Sequence, residues 1–211
     1  MLDRLRDLIP EPALRRLPWY LAYVSLLRER GVEYVSSTGI ARGINVDASQ
    51  IAKDLSFLDI KGKTRIGYEV ALLEHKLEEF LGFRKRHRAA IIGVGSLGRA
   101  LMQDSGLTNY GLEVVAGFDV DPAKIGTTHE GMPVYDVACL GEKARELGME
   151  IGIVTVPVEY AQDAADSIVE AGLKAIWNFT PYRIQVPEEI VVTNTSIYAH
   201  LAVMYNRMLS R

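Results

Sequence analysis

The stretch Ala89-Ala-Ile-Ile-Gly93-Val-Gly95-Ser-Leu-Gly98-Arg-Ala-Leu101 joins an apolar run to a helical pattern across three glycines spaced Gly-x-Gly-x-x-Gly. In the order strand, glycine turn, helix, each glycine has its own physical job. One makes the tight turn, one lets backbone approach a pyrophosphate, and one packs helix on strand. The helix start then offers amide hydrogens and partial positive charge to phosphates. This predicts a doubly wound α/β domain, a Rossmann fold, from Ala89 onward.

The surroundings fit that reading. A second strand, Glu113 to Phe118, runs into Asp119. A carboxylate there can accept from both ribose hydroxyls and repels a 2′-phosphate, favouring NAD over NADP. Later apolar strands, Ile151 to Val156 and Ala175 to Trp177, end in Thr155-Val156-Pro157 and in Asn178-Phe179-Thr180-Pro181. Small, polar and proline residues at the carboxyl edge of a parallel sheet are where such domains build a ligand crevice, although turn chemistry alone places them too.

The first part of the chain reads differently. Leu14, Leu17, Leu21, Val24 and Leu27 recur at helical spacing and predict one amphipathic helix over 12–30. Ser36 and Ser37 cap a short second helix, and Gly43-Ile44-Asn45-Val46 forms a tight turn. Asp47 and Gln50 make an Asp-x-x-Gln capping box for a third helix, which buries Ala48, Ile51, Leu55 and Leu58 and leaves Ser49, Gln50, Lys53 and Asp54 outward. Three short helices with a turn before the third are the layout of a helix-turn-helix, whose last helix meets base edges near its start. Lys61, Lys63 and Arg65, set around Gly62 and Gly67, then read as a hairpin wing able to touch phosphates. The same layout also serves small helical domains with a solvated basic loop. A further helix over 69–81 precedes a basic connector, with the domain boundary near 84–88.

Charge supports the division. Residues 1–88 carry 16 basic and 12 acidic side chains (+4) and residues 89–211 carry 8 and 15 (−7), against −3 for all 211 residues. A basic front on an acidic rear suits a nucleic-acid-binding head. The single cysteine, Cys139, excludes an internal disulfide, and no apolar run reaches the roughly 18 residues of a membrane span. With no apolar leader at the N-terminus, the expected compartment is the cytoplasm. The four histidines lack metal-ligand spacing, so no metal is expected. None of the ten tyrosines has lysine four residues on, His200 sits on an apolar helix, and the stretch after Pro157 is too short for a substrate domain. No catalytic residue is therefore assigned; the domain reads as a sensor and not an enzyme. The last helix, with Ile197, Leu201, Met204 and Met208 in one stripe, needs a partner, and a dimer interface is the natural one.

These pieces together resemble the bacterial redox-sensing repressor family Rex over essentially the whole chain. The matching stretches are Arg16-Leu-Pro-Trp-Tyr-Leu, Ser36-Ser, Gln50-Ile-Ala-Lys-Asp-Leu-Ser-Phe, Gly62 with Ile66-Gly-Tyr, and Gly93-Val-Gly-Ser-Leu-Gly. Gly117-Phe-Asp-Val-Asp-Pro-x-Lys-Ile-Gly, Thr155-Val-Pro, Asn178-Phe-Thr-Pro and the terminal helix complete the series. The resemblance implies a winged-helix domain at 1–84, a Rossmann NAD(H) domain at 85–194, and a dimerisation helix at 195–211 exchanged between two copies. It implies a homodimer that binds operator DNA when NADH is low and releases it when NADH binds. Gly93, Gly95, Ser96, Leu97 and Gly98 would hold the pyrophosphate, Asp119 the adenosine ribose, and Thr155, Val156, Pro157, Asn178 and Phe179 the nicotinamide end. Ser49, Gln50 and Lys53 would face DNA, with Lys61, Lys63 and Arg65 on its phosphates.

Departures from the family pattern carry their own implications. Ala52 stands where the family usually has arginine and Asp59 where it has glycine, which implies an altered or weaker operator; a lost arginine–guanine pair removes about 1–3 kcal/mol of discrimination. Ala22, Asp104 and Ser196, the last followed by Ile197 and Tyr198, occupy positions at which an arginine, a tyrosine and an aspartate exchange partners between states. That implies NAD(H) binding with a changed switch. A dimeric NAD(H)-binding relative with an altered operator or no redox response is the alternative, and a small oxidoreductase the more distant one.

Overall fold

The computed structural model describes residues 8–210; residues 1–7 and Arg211, which open and close the ranges read from the sequence, lie outside the described residues. The chain divides into two compact units, with the division between Lys85 and Arg86.

The first unit begins with α1 (Glu11–Leu14) and α2 (Leu17–Glu29). The single helix predicted over 12–30 is thus broken. Pro18 stands in the first turn of α2, where its missing N–H costs nothing, whereas in a continuous helix its ring would strike the carbonyl one turn earlier. Leu17, Leu21, Val24 and Leu27 are buried, and Leu14, across the break, is exposed. After β1 (Tyr34–Val35) comes α3 (Ser37–Ile44), capped by Ser36, which accepts from the Gly39 amide at 3.0 Å. The turn is tighter than predicted. Gly43 and Ile44 stay helical and Asn45 alone takes the left-handed φ of 55°. Gly43 serves packing, since a Cβ there would lie 2.1 Å from Tyr23 Cζ.

Helix α4 (Ala48–Leu55) starts at Asp47, whose side chain accepts from the Ser49 and Gln50 amides. Gln50 does not return the bond as the capping box predicts; its carboxamide donates to Asp54 instead. A 3₁₀ turn (Ser56–Leu58) ends at Asp59 with φ 49°, the left-handed conformation that glycine or aspartate tolerates. The wing is a tight hairpin in which Lys63 and Gly67 exchange backbone bonds of 2.7 and 2.9 Å. It returns through β2 (Tyr68–Glu69), antiparallel to β1, into α5 (Val70–Leu81). At eight residues each, α3 and α4 are too short to hold alone. What holds them is a shared core of Tyr20, Ile40, Ile51, Leu55, Leu73 and Leu77, worth about 2 kcal/mol per buried side chain.

In the second unit, β3 (His87–Ile92) leads through the glycine turn into α6 (Ser96–Gln103), a short α7 (Gly106–Asn109) and β4 (Leu112–Asp119). A hairpin of β5 (Thr128–His129) and β6 (Met132–Asp136) precedes α8 (Leu140–Leu147) and β7 (Ile151–Val154). α9 (Ala161–Glu170), β8 (Ala175–Asn178), β9 (Val191–Asn194) and α10 (Ile197–Leu209) follow. The sheet order is β5-β6-β4-β3-β7-β8-β9, all parallel except β5 at one edge. Without β5 this is the 3-2-1-4-5-6 order of a Rossmann fold, and the order reverses between β3 and β7. Strand β3 is buried on both faces, Ala89 and Ile91 in one core and Ala90 and Ile92 in the other, as a parallel strand covered twice must be. Helix α10 has no buried residue.

At Gly98 a Cβ would come within 2.3 Å of the Gly93 carbonyl oxygen. Gly98→Ala should therefore destabilise the second unit by about 1–3 kcal/mol in denaturant unfolding, the usual cost of overpacking; an unchanged midpoint would contradict this packing.

Candidate functional site

A cleft of about 500 Å³ opens where the strand order reverses. Its walls are the ends of β3 (Ile92, Gly93, Gly95), of β4 (Phe118, Asp119, Val120, Asp121) and the segment after β7 (Thr155, Val156, Pro157), with Lys124, Val137 and Tyr160 around the rim. The structure thus brings six of the sequence-predicted residues into one crevice: Gly93, Gly95, Asp119, Thr155, Val156 and Pro157. Ser96 and Leu97 are exposed at the start of α6, and Gly98 is buried against Gly93; these three stand outside the lining.

Asn178 and Phe179 stand outside it as well. Asn178 is fully buried: it donates to the Tyr182 carbonyl at 2.8 Å and to Asn194 Oδ1 at 2.9 Å, and accepts from the Thr180 amide and hydroxyl. Its carboxamide organises the turn after β8. Phe179 packs on Trp177 with ring centroids 4.7 Å apart, and Trp177 Nε1 donates to Thr195 Oγ1 at 2.8 Å.

Asp119 is buried at the head of the cleft. Its Oδ2 accepts from the Val94 amide at 2.8 Å and from Lys124 Nζ at 2.9 Å, and its Oδ1 from the Asp121 amide at 3.0 Å. Burial works to raise its pKa, but the Asp121 amide, the Lys124 ammonium and the Val94 amide outweigh it and hold the carboxyl below its ordinary value. Three of the roughly four acceptor positions are filled, so one on Oδ1 is open, where the sequence reading gave it two ribose hydroxyls. Lys124 was missed as a cleft residue although it lies in the Asp-Pro-x-Lys run. Thr155 Oγ1 donates to the Gly93 carbonyl at 2.7 Å and fastens the glycine turn to the neighbouring strand. Gly95 is the exception among these glycines. Its φ is an ordinary −87° and a Cβ would meet nothing within 4 Å, so nothing in the protein itself requires a glycine there.

In the first unit, Ser49, Lys53, Lys61, Lys63 and Arg65 are exposed and Gln50 half-buried. The Ser49 hydroxyl donates to Asp47. Lys63 donates to the Tyr34 hydroxyl at 2.6 Å and lies 4.7 Å over its ring. Asp54, read as outward, is 1% exposed. Arg16 clasps it with Nε at 2.7 Å and Nη2 at 2.9 Å, and the Tyr20 hydroxyl donates to it at 2.7 Å. The signal for this was present, since Arg16, at the N-cap of α2, and Tyr20, one turn on, share the side on which Leu17 and Leu21 are buried. Burial acts to raise the Asp54 pKa, but the bonds from Arg16, Tyr20 and Gln50 win and lower it. Tyr20 is pushed up to about 12, by burial first and by Asp54 second. Ala22 is exposed on α2; Asp104 caps the end of α6 and accepts the Gly106 amide at 2.7 Å. Ser196 caps α10 through the Ala199 amide at 3.1 Å, with Ile197 and Tyr198 exposed beyond it. Among the described residues no cluster of histidine, cysteine and carboxylate could hold a metal, and no helix is long and apolar enough to cross a membrane.

A winged helix joined in one chain to a doubly wound domain with a glycine-lined crevice is the architecture of a ligand-responsive DNA-binding regulator. Comparison with known proteins gives the family. A family model described as a putative DNA-binding protein N-terminus matches residues 8–56, and one described as a CoA binding domain matches residues 84–182. The redox-sensing transcriptional repressor Rex of Bacteroides fragilis is 58% identical over 200 residues, covering 95% of this chain and 91% of the relative. The crystal structure of RSP in complex with beta-NAD+ and operator DNA superposes with a TM-score of 0.91 at 32% identity, covering 95% of this chain and 93% of that one. RSP in complex with beta-NADH gives 0.85 at 31% identity, covering 95% and 94%. The chain belongs to the Rex family of redox-sensing transcriptional repressors, which are regulators and not enzymes.

The buried Arg16–Asp54 pair has a consequence for acid stability. A carboxyl whose folded pKa is depressed adds stability above its unfolded value, near 4, and loses it as pH falls through the folded value. Asp54→Ala should cost about 3 kcal/mol at neutral pH, because it strands Arg16 and Tyr20, and should flatten the loss of stability below about pH 4. Urea unfolding across that range measures both; a neutral variant would show that the network contributes nothing.

Proposed function

We propose that this protein is a homodimeric cytoplasmic repressor that holds operator DNA when NADH is scarce and releases it when NADH binds. The winged helix of residues 1–84 is its DNA-binding head, residues 85–194 bind NAD(H), and residues 195–211 form a helix exchanged with a second copy. The observation that carries the reading is Gly95. The space that a side chain would fill, at the N-terminal end of α6 and beside the cleft, is left open, as a pyrophosphate approaching helix amides requires. Solved relatives add support: RSP forms complexes with beta-NADH and with beta-NAD+ plus operator DNA.

In this reading Gly93, Gly95, Ser96 and Leu97 receive the pyrophosphate, and Gly98, buried against the Gly93 carbonyl, serves it by holding the start of α6 close to the turn. Asp119 takes one ribose hydroxyl on its open Oδ1 position, while the Asp121 amide and Lys124 hold its carboxyl below the ordinary value. Thr155, Val156 and Pro157 shape the far side of the crevice, with Asn178 and Phe179 behind it as supports of the nicotinamide end. The bound dinucleotide would supply the redox signal. Ser49, Gln50 and Lys53 on α4 face the major groove, and Lys61, Lys63 and Arg65 lie on backbone phosphates. The apolar face of α10, on which no residue is buried, is what an exchanged dimer helix presents before pairing. Ala22 has no polar atom to exchange and Asp104 is engaged by the Gly106 amide, which favours a changed and weaker coupling of cofactor to DNA than a charged switch would give. A ligand moves DNA affinity only through its differential affinity for the two states.

Tryptophan-to-NADH energy transfer tests the cleft. Gly95→Val should remain folded, destabilised by no more than about 1 kcal/mol for the poorer N-cap, yet lose NADH binding by tenfold or more, and Asp119→Ala should weaken it too. NADH bound equally by Gly95→Val would place the cofactor elsewhere. In competition, NAD+ displacing NADH at equal concentration would mean that the redox ratio is not read.

The wing is tested through salt. Each lost phosphate contact should lower the slope of log affinity against log salt by about 0.9, so replacing Lys61, Lys63 and Arg65 with alanine should reduce it by about 3 per wing. An unchanged slope would remove the wing from the interface.

A further inference from the structure

Every acceptor position of Asp54 is filled, and one of the donors is a residue of the DNA-facing helix. Arg16 Nε and the Tyr20 hydroxyl, each at 2.7 Å, share Oδ2; Arg16 Nη2 at 2.9 Å and Gln50 Nε2 at 2.7 Å share Oδ1. An ionised carboxylate can only accept, so the Gln50 atom turned toward it must be the amide nitrogen. The flip of that carboxamide is thereby fixed by chemistry, in a residue that is otherwise free to present either end. Gln50 keeps Oε1, an acceptor, and one remaining N–H donor for any outside partner.

Gln50 is the third residue of α4 and half-buried, in the turn with which the second helix of a helix-turn-helix meets base edges. In the major groove adenine shows a donor, N6–H₂, beside an acceptor, N7. Guanine shows two acceptors, thymine an acceptor and a methyl group, and cytosine a lone donor. An acceptor beside a donor on the protein has one full match among these. We propose that Gln50 reads an adenine in the operator, and that Asp54, clamped between Arg16 and Tyr20, is the positioning residue that fixes its reading face. Asp54 never touches DNA in this arrangement. It acts by removing the competing orientation, in which Gln50 would offer its amide nitrogen and select a different base. The proposal rests on operator binding as argued above.

The full-length protein is first used to select its operator from a pool of randomised duplexes. Each adenine in that operator is then replaced singly by 2-aminopurine, which still pairs with thymine but carries no amine in the major groove. At one adenine, wild-type affinity should fall by about 5- to 150-fold. Gln50→Met should bind the parent operator more weakly and be indifferent to the same replacement. Asp54→Asn, or the apolar set Arg16→Met, Tyr20→Phe and Asp54→Leu should Asp54→Asn not fold, should lose much of that penalty while keeping its affinity for unrelated duplex and its salt slope. A merely structural role would lower specific and non-specific binding together. If Gln50→Met pays the same penalty as wild type at every adenine, the proposal is overturned. If wild type selects no sequence at all, operator binding itself fails, and that result is distinct from the first.

Discussion

A single carbonyl oxygen, that of Gly93, sets the geometry on which the second unit depends. It lies 2.3 Å from where a Cβ at residue 98 would be, and it accepts the Thr155 hydroxyl at 2.7 Å. One atom thus fixes how closely α6 approaches β3 and ties the turn between them to the end of β7. Those two strands are where the sheet order reverses, so the crevice between them is a consequence of chain topology. Asp119 completes the arrangement from the opposite side. By accepting the Val94 amide it holds the glycine turn against the end of β4, and its own charge is held by the Asp121 amide and by Lys124.

The same economy appears in the first unit with different chemistry. A domain assembled from helices of four to thirteen residues has little intrinsic helix stability. Most of its hold comes from the shared apolar core, into which the Arg16–Tyr20–Asp54 cluster is set. A buried charge is costly unless every lone pair is matched, and here all are. Among the described residues no buried side-chain polar atom lacks a partner.

What the sequence discloses and what it hides follow from the range of the interactions involved. The glycine turn, the strand after it and the acidic residue at that strand's end are local patterns, and the cleft is legible from them. The hairpin around Gly62 and Gly67 is likewise local. Asp54 misled because periodicity puts it on the polar side of α4, while the cation that draws it inward is 38 residues away. Gly43 was read as a turn residue because glycine is common in turns; its reason, the Tyr23 ring, lies on another helix. Asn178 and Phe179 sit at a strand end, as crevice residues do, but a carboxamide with partners at 180, 182 and 194 is already occupied. The break at Pro18 was readable, since proline belongs in a first turn and not in the middle of a helix.

The clasp on Asp54 also limits how this head can be re-engineered. A recognition helix is often treated as a removable cassette whose outward residues can be exchanged to alter the target. Here the inward side of that cassette is bonded to Arg16, just before α2, and to Tyr20 on it, so a transplant that left residues 16 and 20 behind would arrive with an unmatched buried carboxylate beneath the reading glutamine. The portable unit runs from Arg16 to Leu55 and takes in α2, α3 and α4, and chimeras drawn at those boundaries would keep the fold and the facing of the reading residue together.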